Sequence, residues 1–401
     1  MSHHYRVVLE TPVPKGHEPE LRSRVFFVSE HIERFTLLGE GEHVDAIDVW
    51  TSAPIGAGEL ERKLGKMIAN DVLAQYPSLG REIWRSSSTR AVVPDIYQEM
   101  TERGIAFELG EGQVALGEEF FRVMGFFDRA VASMNRREFD AREYRYPTLV
   151  PLATLRRCGY LASFPQHLMF VTRLHSDVDT YHDFLADVAE GRLDEQALYD
   201  RCGNMDYALP PTMCYHTFSQ LTETSQPDRV VTSRGKSFRF ESRYRQSLER
   251  LWDFTIRETV FLGTQSFVTD ARSRFMENIF ALLNDLDLAA HCEVANDPFF
   301  GRQDTAGAIT SQRLLELKYE LRVPVAADRT IACGSFNLHG PIFSDAFAIS
   351  HEDEGVKTHT GCTGIGLERL TYAFLCQYGL DASQWPEIVR DAAAIPEVSI
   401  G

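Results

Sequence analysis

The sequence predicts an α+β fold: an antiparallel sheet flanked by helices, preceded by a small α+β unit. Three observations carry that prediction. In the second half apolar residues recur with period two. Trp252, Phe254, Ile256 and Val260 share one face of 252–260, and Leu315, Leu317, Tyr319, Leu321 and Val323 alternate with Glu316, Lys318, Glu320 and Arg322. Between the two parts Phe120, Val123, Phe127, Val131 and Met134 form the stripe of one amphipathic helix. No strand–helix–strand alternation, the mark of a doubly wound parallel sheet, runs through the second half.

Taken in order, the first 105 residues read as a small α+β unit. Strands are expected at Tyr5 to Leu9, Arg24 to Val28 and Val44 to Trp50, with a helix from Glu59 to Tyr76. Pro54, Gly56 and Gly58 form a turn, and the glycines from Gly104 to Gly117 mark the passage into a second domain, 106–401. The stripe helix follows, and from about residue 230 half-buried strands take over. Among them is the alternating segment Phe238-Arg239-Phe240-Glu241.

Composition narrows the function classes. A chain of 401 residues with 44% hydrophobic and 25% charged residues is globular and long enough for two or three domains. Its net charge of −17 repels nucleic acid unless a local basic surface overrides it, and residues 1–105 offer none, with 12 basic against 16 acidic residues. Arg156 with Arg157, and Arg243 with Arg245, are the candidates for such a surface. No apolar run reaches the roughly 18 residues of a membrane span, and the first 30 residues lack a signal-peptide core. A cytoplasmic protein is expected. Seven scattered cysteines give no disulfide framework; Cys158, Cys202, Cys292, Cys333 and Cys376 read as packed thiols.

Two nucleotide signatures fail. Gly235-Lys236-Ser237 looks like the end of a phosphate-binding loop, but position 230 is Val where the first glycine is required. Gly361, Gly364 and Gly366 have the wrong spacing for the dinucleotide fingerprint. Two other segments fit a nucleotide better. Arg239 and Glu241, on one side of a strand about 6.8 Å apart, present a cation and a carboxylate to one ligand. Gly364-Ile365-Gly366-Leu367-Glu368-Arg369-Leu370 opens a helix, with glycines that permit close approach and an arginine whose forked donors suit phosphate oxygens.

Phe238–Glu241 resembles motif 2, and Gly364–Leu370 motif 3, of the class II aminoacyl-tRNA synthetases. Tyr146-Pro147 and Cys158–Pro165 are similar to that class's motif 1 dimer region, which implies a homodimer. A narrower resemblance spans roughly residues 107 to 380. Gly159–Gln166, Pro211–Tyr215, Arg257-Glu258 and Ala332–Asn337 resemble the amino acid:[carrier protein] ligases, truncated relatives of the zinc-dependent atypical seryl-tRNA synthetases of methanogens. The resemblance implies a class II synthetase-like catalytic domain.

Glu258 is anomalous, since a carboxylate on an apolar strand face is costly without a partner. An arginine or a metal ion would satisfy it. Cys214, Glu258 and Cys362 look like the zinc triad of the same families, and such a set leaves one tetrahedral position open. The resemblance implies that a substrate α-amine takes that position, and that the substrate is glycine, alanine or serine. It further implies ATP bent over the sheet, with Arg239 on the α-phosphate, Glu241 near the adenine and Arg369 on the γ-phosphate. Mg²⁺ would assist, and Glu320, Ser335 and Asn337 are candidates for Mg²⁺ or substrate contacts.

For the second step, a phosphopantetheine thiol on an acyl or peptidyl carrier protein is expected rather than tRNA, because residues 1–105 carry no basic surface. That unit, acceptor-binding or structural, faintly resembles part of the tRNA-binding domain of atypical seryl-tRNA synthetases, so aminoacylation of tRNA stays open. So do another adenylate-forming amide ligase and a non-catalytic binding module.

Overall fold

The computed structural model describes residues 2–73, 81–241, 248–295 and 316–393. The first unit is a three-stranded antiparallel sheet of β1 (His3–Pro14), β2 (Ile32–Leu38) and β3 (His43–Thr51), in the order β1-β3-β2. Helices α1 (Glu18–Arg24) and α2 (Ala57–Met67) supply Leu21, Leu60 and Leu64 to a core shared with Val7, Ile47 and Val49. Alternation along β1 and β3 places those valines and isoleucine on one sheet face.

Two expected elements differ here. Arg24 to Val28 is not a strand; α1 runs into a 3-10 turn at Val25–Val28, which buries Val25 and Val28. The Arg22–Glu18 ion pair and the acidic first turn favour helix over the local β preference. The helix expected to Tyr76 instead widens into a π-turn at Ile68–Val72, and Tyr76 lies outside the described residues.

The large sheet contains eight strands. They are β4 (Glu82–Arg85), β5 (Arg142–Tyr144), β6 (Arg229–Phe238), β7 (Asp253–Gly263), β8 (His291–Val294), β9 (Lys318–Ala326), β10 (Arg329–Gly340) and β11 (His359–Gly366), in the spatial order β4-β8-β9-β10-β11-β7-β6-β5. All neighbours pair antiparallel except β5 with β6. The strand expected from Leu315 begins at Lys318; Leu315 lies outside the described residues.

Residues 82–105 contribute to the large sheet and its core. β4 pairs with β8, and Ile96, Met100 and Ile105 belong to the large core, so the division of cores falls before residue 82 rather than at 105.

Helices α3 (Glu118–Phe139), α4 (Gln265–Asp285) and α5 (Leu367–Tyr378) cover one sheet face, burying Phe120, Phe127, Phe275 and Phe374 against Phe261, Phe336 and Ile365. The expected stripe of α3 is buried at all five positions. On that face Arg257 is 3% exposed and ion-paired to Asp128 of α3 and to Glu143. The opposite face of β7 is also covered, by Tyr215, Phe218 and Phe347 around Val260 and Leu262. β7 is therefore buried on both faces from Thr255 onward, not half-buried as its alternation suggests.

Candidate active site

Sheet register builds the site. Residues directly opposite each other in paired strands present side chains to the same face. One row across the sheet reads Ser233, Glu258, Gly364, Ser335 and Glu320, and the next on that face reads Val231, Val260, Cys362, Asn337 and Lys318. In the other direction Gly235, Ile256 and Gly366 form a third row. Serines and glycines thus thin the side chains along the first and third of these rows. A Cβ added to Gly364 would meet only Ile256 Cγ2 at 3.5 Å and Ser335 Oγ at 3.8 Å, both ordinary contacts, so a methyl group fits there without displacing a neighbour.

At one end of this sheet face three ligand-type atoms converge. Those of Cys214, Glu258 and Cys362 lie within 4.8 Å of one another, and all three residues are buried. Cys214 reaches the sheet from the start of the short helix Cys214–Gln220. Glu258 Oε2 accepts from Thr212 Oγ1 at 2.7 Å and from the backbone N–H groups of Met213 at 2.8 Å and Cys214 at 3.0 Å. Among the described residues no arginine or lysine pairs with Glu258. The neighbouring Arg257 points to the helix face, so an arginine partner for the carboxylate is not what the structure shows.

Burial pushes the Glu258 carboxyl up to about 8, with the Cys362 sulfur acting in the same direction. Burial also raises the Cys214 thiol, whereas hydrogen bonding to Cys214 holds Cys362 below the usual thiol range. Without a cation Glu258 and Cys214 retain protons that binding of a divalent ion would release, while Cys362 stands ready as a thiolate. Tetrahedral zinc with two sulfurs and one oxygen sets its ligands about 3.5–4 Å apart. Atoms within 4.8 Å of one another reach that by a contraction of at most about 1.3 Å, and the sulfur-rich donor set suits zinc rather than magnesium.

The other end of the face holds cations. Along β7 from Glu258, on the same face and about 13 Å away, is Phe254. The guanidinium groups of Arg239 and Arg369 lie over its ring, at 5.6 and 5.9 Å from the centroid. β6 ends at Phe238, so Arg239 and Glu241 sit just past the strand and not on one side of it as expected. Arg239 Nε donates to Pro211 O at 3.0 Å, fixing this turn to the segment that leads to Cys214. Glu241 does not stand free for a ligand: Oε2 pairs with Arg250 at 3.0 Å and Oε1 faces Arg369 at 3.9 Å. Burial alone would raise its carboxyl, but the charges of Arg250, Arg369 and Arg239 outweigh that and hold it at about 2. Arg369 leaves the first turn of α5, whose preceding residue Glu368 is anchored by the Thr255 N–H and hydroxyl, both at 2.7 Å.

Of the remaining expected residues, Glu320 pairs with Lys318 at 3.2 Å and Arg322 at 3.4 Å. Ser335 stands opposite Glu320, and Asn337 turns to the sulfur end, where Nδ2 lies 3.4 Å from Cys362 O and 3.6 Å from its Sγ. Arg157 packs over the Phe347 ring and donates to Ala346 O, while Arg156 is exposed; Arg243 and Arg245 lie outside the described residues. Thr212, Arg250 and His339 belong to the site without having been singled out. Thr212 lies inside Pro211–Tyr215, and His339 stands at a register shift of β10 between Leu338 and Gly340, which no sequence spacing marks. No spacing signal marks Arg250.

Comparison with known sequence families finds no match. Individual proteins do match. Amino acid–[acyl-carrier-protein] ligase 1 of Bradyrhizobium diazoefficiens is 33% identical over 277 residues, 67% of this chain and 81% of the relative. Ligase 2 of the same organism is 32% identical over 316 residues, 76% of this chain and 87% of the relative. The type-2 serine–tRNA ligase of Methanococcus aeolicus is 29% identical over 297 residues, 70% of this chain but 56% of the relative, so the chain spans about half the length of that protein. The fold matches that of the M. kandleri SerRS crystallised with A. aeolicus tRNASec, with a TM-score of 0.67 at 18% identity, covering 98% of this chain and 95% of that one.

Proposed function

This chain belongs to the amino acid–[acyl-carrier-protein] ligases, relatives of the type-2 serine–tRNA ligases with a class II synthetase fold, and from that we propose that it activates a small amino acid with ATP and passes it to the phosphopantetheine thiol of a carrier protein. One observation supports this reading above the others. Strand rows that include glycines and serines run from a Cys–Glu–Cys cluster to a pair of arginines, and so offer an amine-binding end and a phosphate-binding end on one sheet face.

Cys214, Glu258 and Cys362 would hold Zn²⁺, which when bound supplies a Lewis-acid position for the unprotonated α-amine of the substrate. Gly364 and Ser335 lie under that position, and the aromatic cluster of Tyr215, Phe218 and Phe343 closes the same end. The wall favours glycine, alanine or serine over larger side chains. Arg239 and Arg369 bind the triphosphate, Arg239 at the α-phosphate and Arg369 at the γ-phosphate. Glu241 keeps Arg369 oriented from the adenine side, and Glu320 would be a candidate to hold Mg²⁺, which when bound would offset phosphate charge.

With the substrate so held, a carboxylate oxygen of the amino acid attacks the α-phosphorus. The bond to the bridging oxygen breaks, and pyrophosphate leaves with that electron pair. Negative charge builds on the phosphoryl oxygens, where the two guanidinium groups would stabilise it, so the protein contributes electrostatics and position rather than a covalent group. In the second step the thiol sulfur of phosphopantetheine attacks the adenylate carbonyl and AMP departs, leaving a thioester. The protein is read as a cytoplasmic homodimer in this role. Residues 2–73 form a core of their own, as an acceptor-binding or structural unit would.

Aminoacylation of tRNA is the second reading. The fold match to a synthetase crystallised with tRNA extends over 98% of the chain, the first unit included. One experiment separates the two: amino-acid-dependent exchange of pyrophosphate into ATP, followed by transfer of labelled amino acid to holo-carrier protein or to total tRNA. Exchange with glycine, alanine or serine and transfer to the carrier support the proposal. Transfer to tRNA alone overturns the acceptor, and no exchange with any small amino acid overturns the activity.

A further inference from the structure

The two sulfurs of the cluster have different surroundings. Near Cys214 Sγ stands the Thr212 hydroxyl at 3.7 Å, and that hydroxyl donates its proton to Glu258 at 2.7 Å. Near Cys362 Sγ stand two nitrogens, Asn337 Nδ2 at 3.6 Å and His339 Nε2 at 3.5 Å. Both come from β10, Asn337 as the direct cross-strand partner of Cys362 and His339 at the point where the register against β11 shifts, between Leu338 and Gly340.

Both side chains are held in place. Asn337 Nδ2 also lies 3.2 Å from Ser335 Oγ and 3.4 Å from Cys362 O. The His339 ring has Nδ1 3.2 Å from Thr360 Oγ1, and it meets Phe343 edge-on at 4.7 Å and Phe218 edge-on at 6.1 Å. Phe218 lies on the helix that Cys214 opens, so the aromatic cage of the imidazole is also the support of the other sulfur.

We infer that His339, seconded by Asn337, is a positioning residue for the metal centre: its Nε2–H donates to the Cys362 thiolate, with Nδ1 accepting from the Thr360 hydroxyl, and fixes the direction in which that sulfur offers its lone pair. The inference rests on the metal reading given under Proposed function. A hydrogen bond to a ligating sulfur sets its orientation and its electron donation, and loss of such outer partners costs metal affinity by about 10–100-fold. The centre is then asymmetric, with Cys362 the fixed sulfur and Cys214 carried on a separate helix.

The test uses the full chain with His339→Phe, which keeps a ring in the cage and removes the donor, and His339→Gln, which keeps a donor. Zinc affinity is read by chelator competition, and the cobalt-substituted protein by its thiolate-to-metal absorption. The expected result is an affinity about 10–100-fold lower for His339→Phe, a shifted cobalt spectrum, and recovery of most of both in His339→Gln. If His339→Phe does not fold, Thr360→Val, which removes the hydroxyl that anchors Nδ1, is expected to shift affinity and spectrum in the same direction. Wild-type affinity and an unchanged cobalt spectrum in the folded variant overturn the inference while the metal reading stands. A wild-type chain that binds neither zinc nor cobalt overturns the metal reading itself.

Discussion

Arg239 and Arg369, from opposite ends of the catalytic half of the sequence, hold their guanidinium groups over the same aromatic ring, that of Phe254. Two cations so close would repel, and the buried carboxylate of Glu241, facing Arg369 and ion-paired to Arg250, lies between the charges. An arrangement that gathers cations in this way is suited to a polyphosphate.

Substituting Arg369 by Ala is expected to lower the rate of pyrophosphate exchange by about 10²-fold or more, because a preorganised donor to developing charge is lost. Lys at this position recovers only part of the rate, since an ammonium lacks the fork of a guanidinium. Steady-state exchange kinetics against ATP concentration checks both.

The Glu241 carboxyl sits at about 2 in the folded chain, below its ordinary value of 4.5. A depressed carboxyl stabilises the fold above the unfolded-state value, and that stability is lost as pH falls from about 4.5 through about 2. Glu241→Gln should therefore cost about 1–2 kcal/mol at pH 6–8, a figure reduced for the partly exposed Arg250. The gap to wild type should close progressively below pH 4.5. Chemical denaturation of both chains across that range is the measurement.

Arg257, 3% exposed, holds Asp128 at 2.7 Å and Glu143 at 2.6 Å on the helix side of the sheet. Removing one partner of a buried ion pair leaves charge without compensation, so Arg257→Met is expected to cost about 3–5 kcal/mol, with a lowered unfolding midpoint. A variant unfolding at the wild-type midpoint would show that Arg234, 3.2 Å from Asp128, suffices alone.

A Cβ at Gly364 would make only ordinary contacts, with Ile256 and Ser335. Gly364→Ala should fold normally yet raise KM for the amino acid, and Gly364→Val should abolish exchange while unfolding near the wild-type temperature. KM measured separately for amino acid and ATP distinguishes a filled amine end from general damage.

The sequence made some of this legible and hid the rest for physical reasons. The α3 stripe and the alternation along β7 and β9 are local periodicities, and the structure has those elements. Glu258 stood out because a carboxylate breaks an apolar face, and the resemblance joined it to two distant cysteines that the sheet register brings together. What local pattern does not carry is context. Val25–Val28 has a strand's residues but continues a helix begun by the Glu18–Arg22 pair. β4 is four residues long and is defined by a partner some two hundred positions away, so the division of cores was placed too late. Arg239 and Glu241 were expected on a strand because the alternation runs through Phe240, whereas pairing stops at Phe238. His339 and Arg250 gain their partners only through tertiary contacts.

Metal content and exchange activity, determined together on the purified full-length chain before and after chelation, test the central claim most directly. About one zinc per chain, lost in Cys214→Ser and in Cys362→Ser, with small-amino-acid-dependent exchange that falls on chelation and returns with added zinc, is the predicted result. A metal-free chain that exchanges pyrophosphate at the full rate would contradict the account.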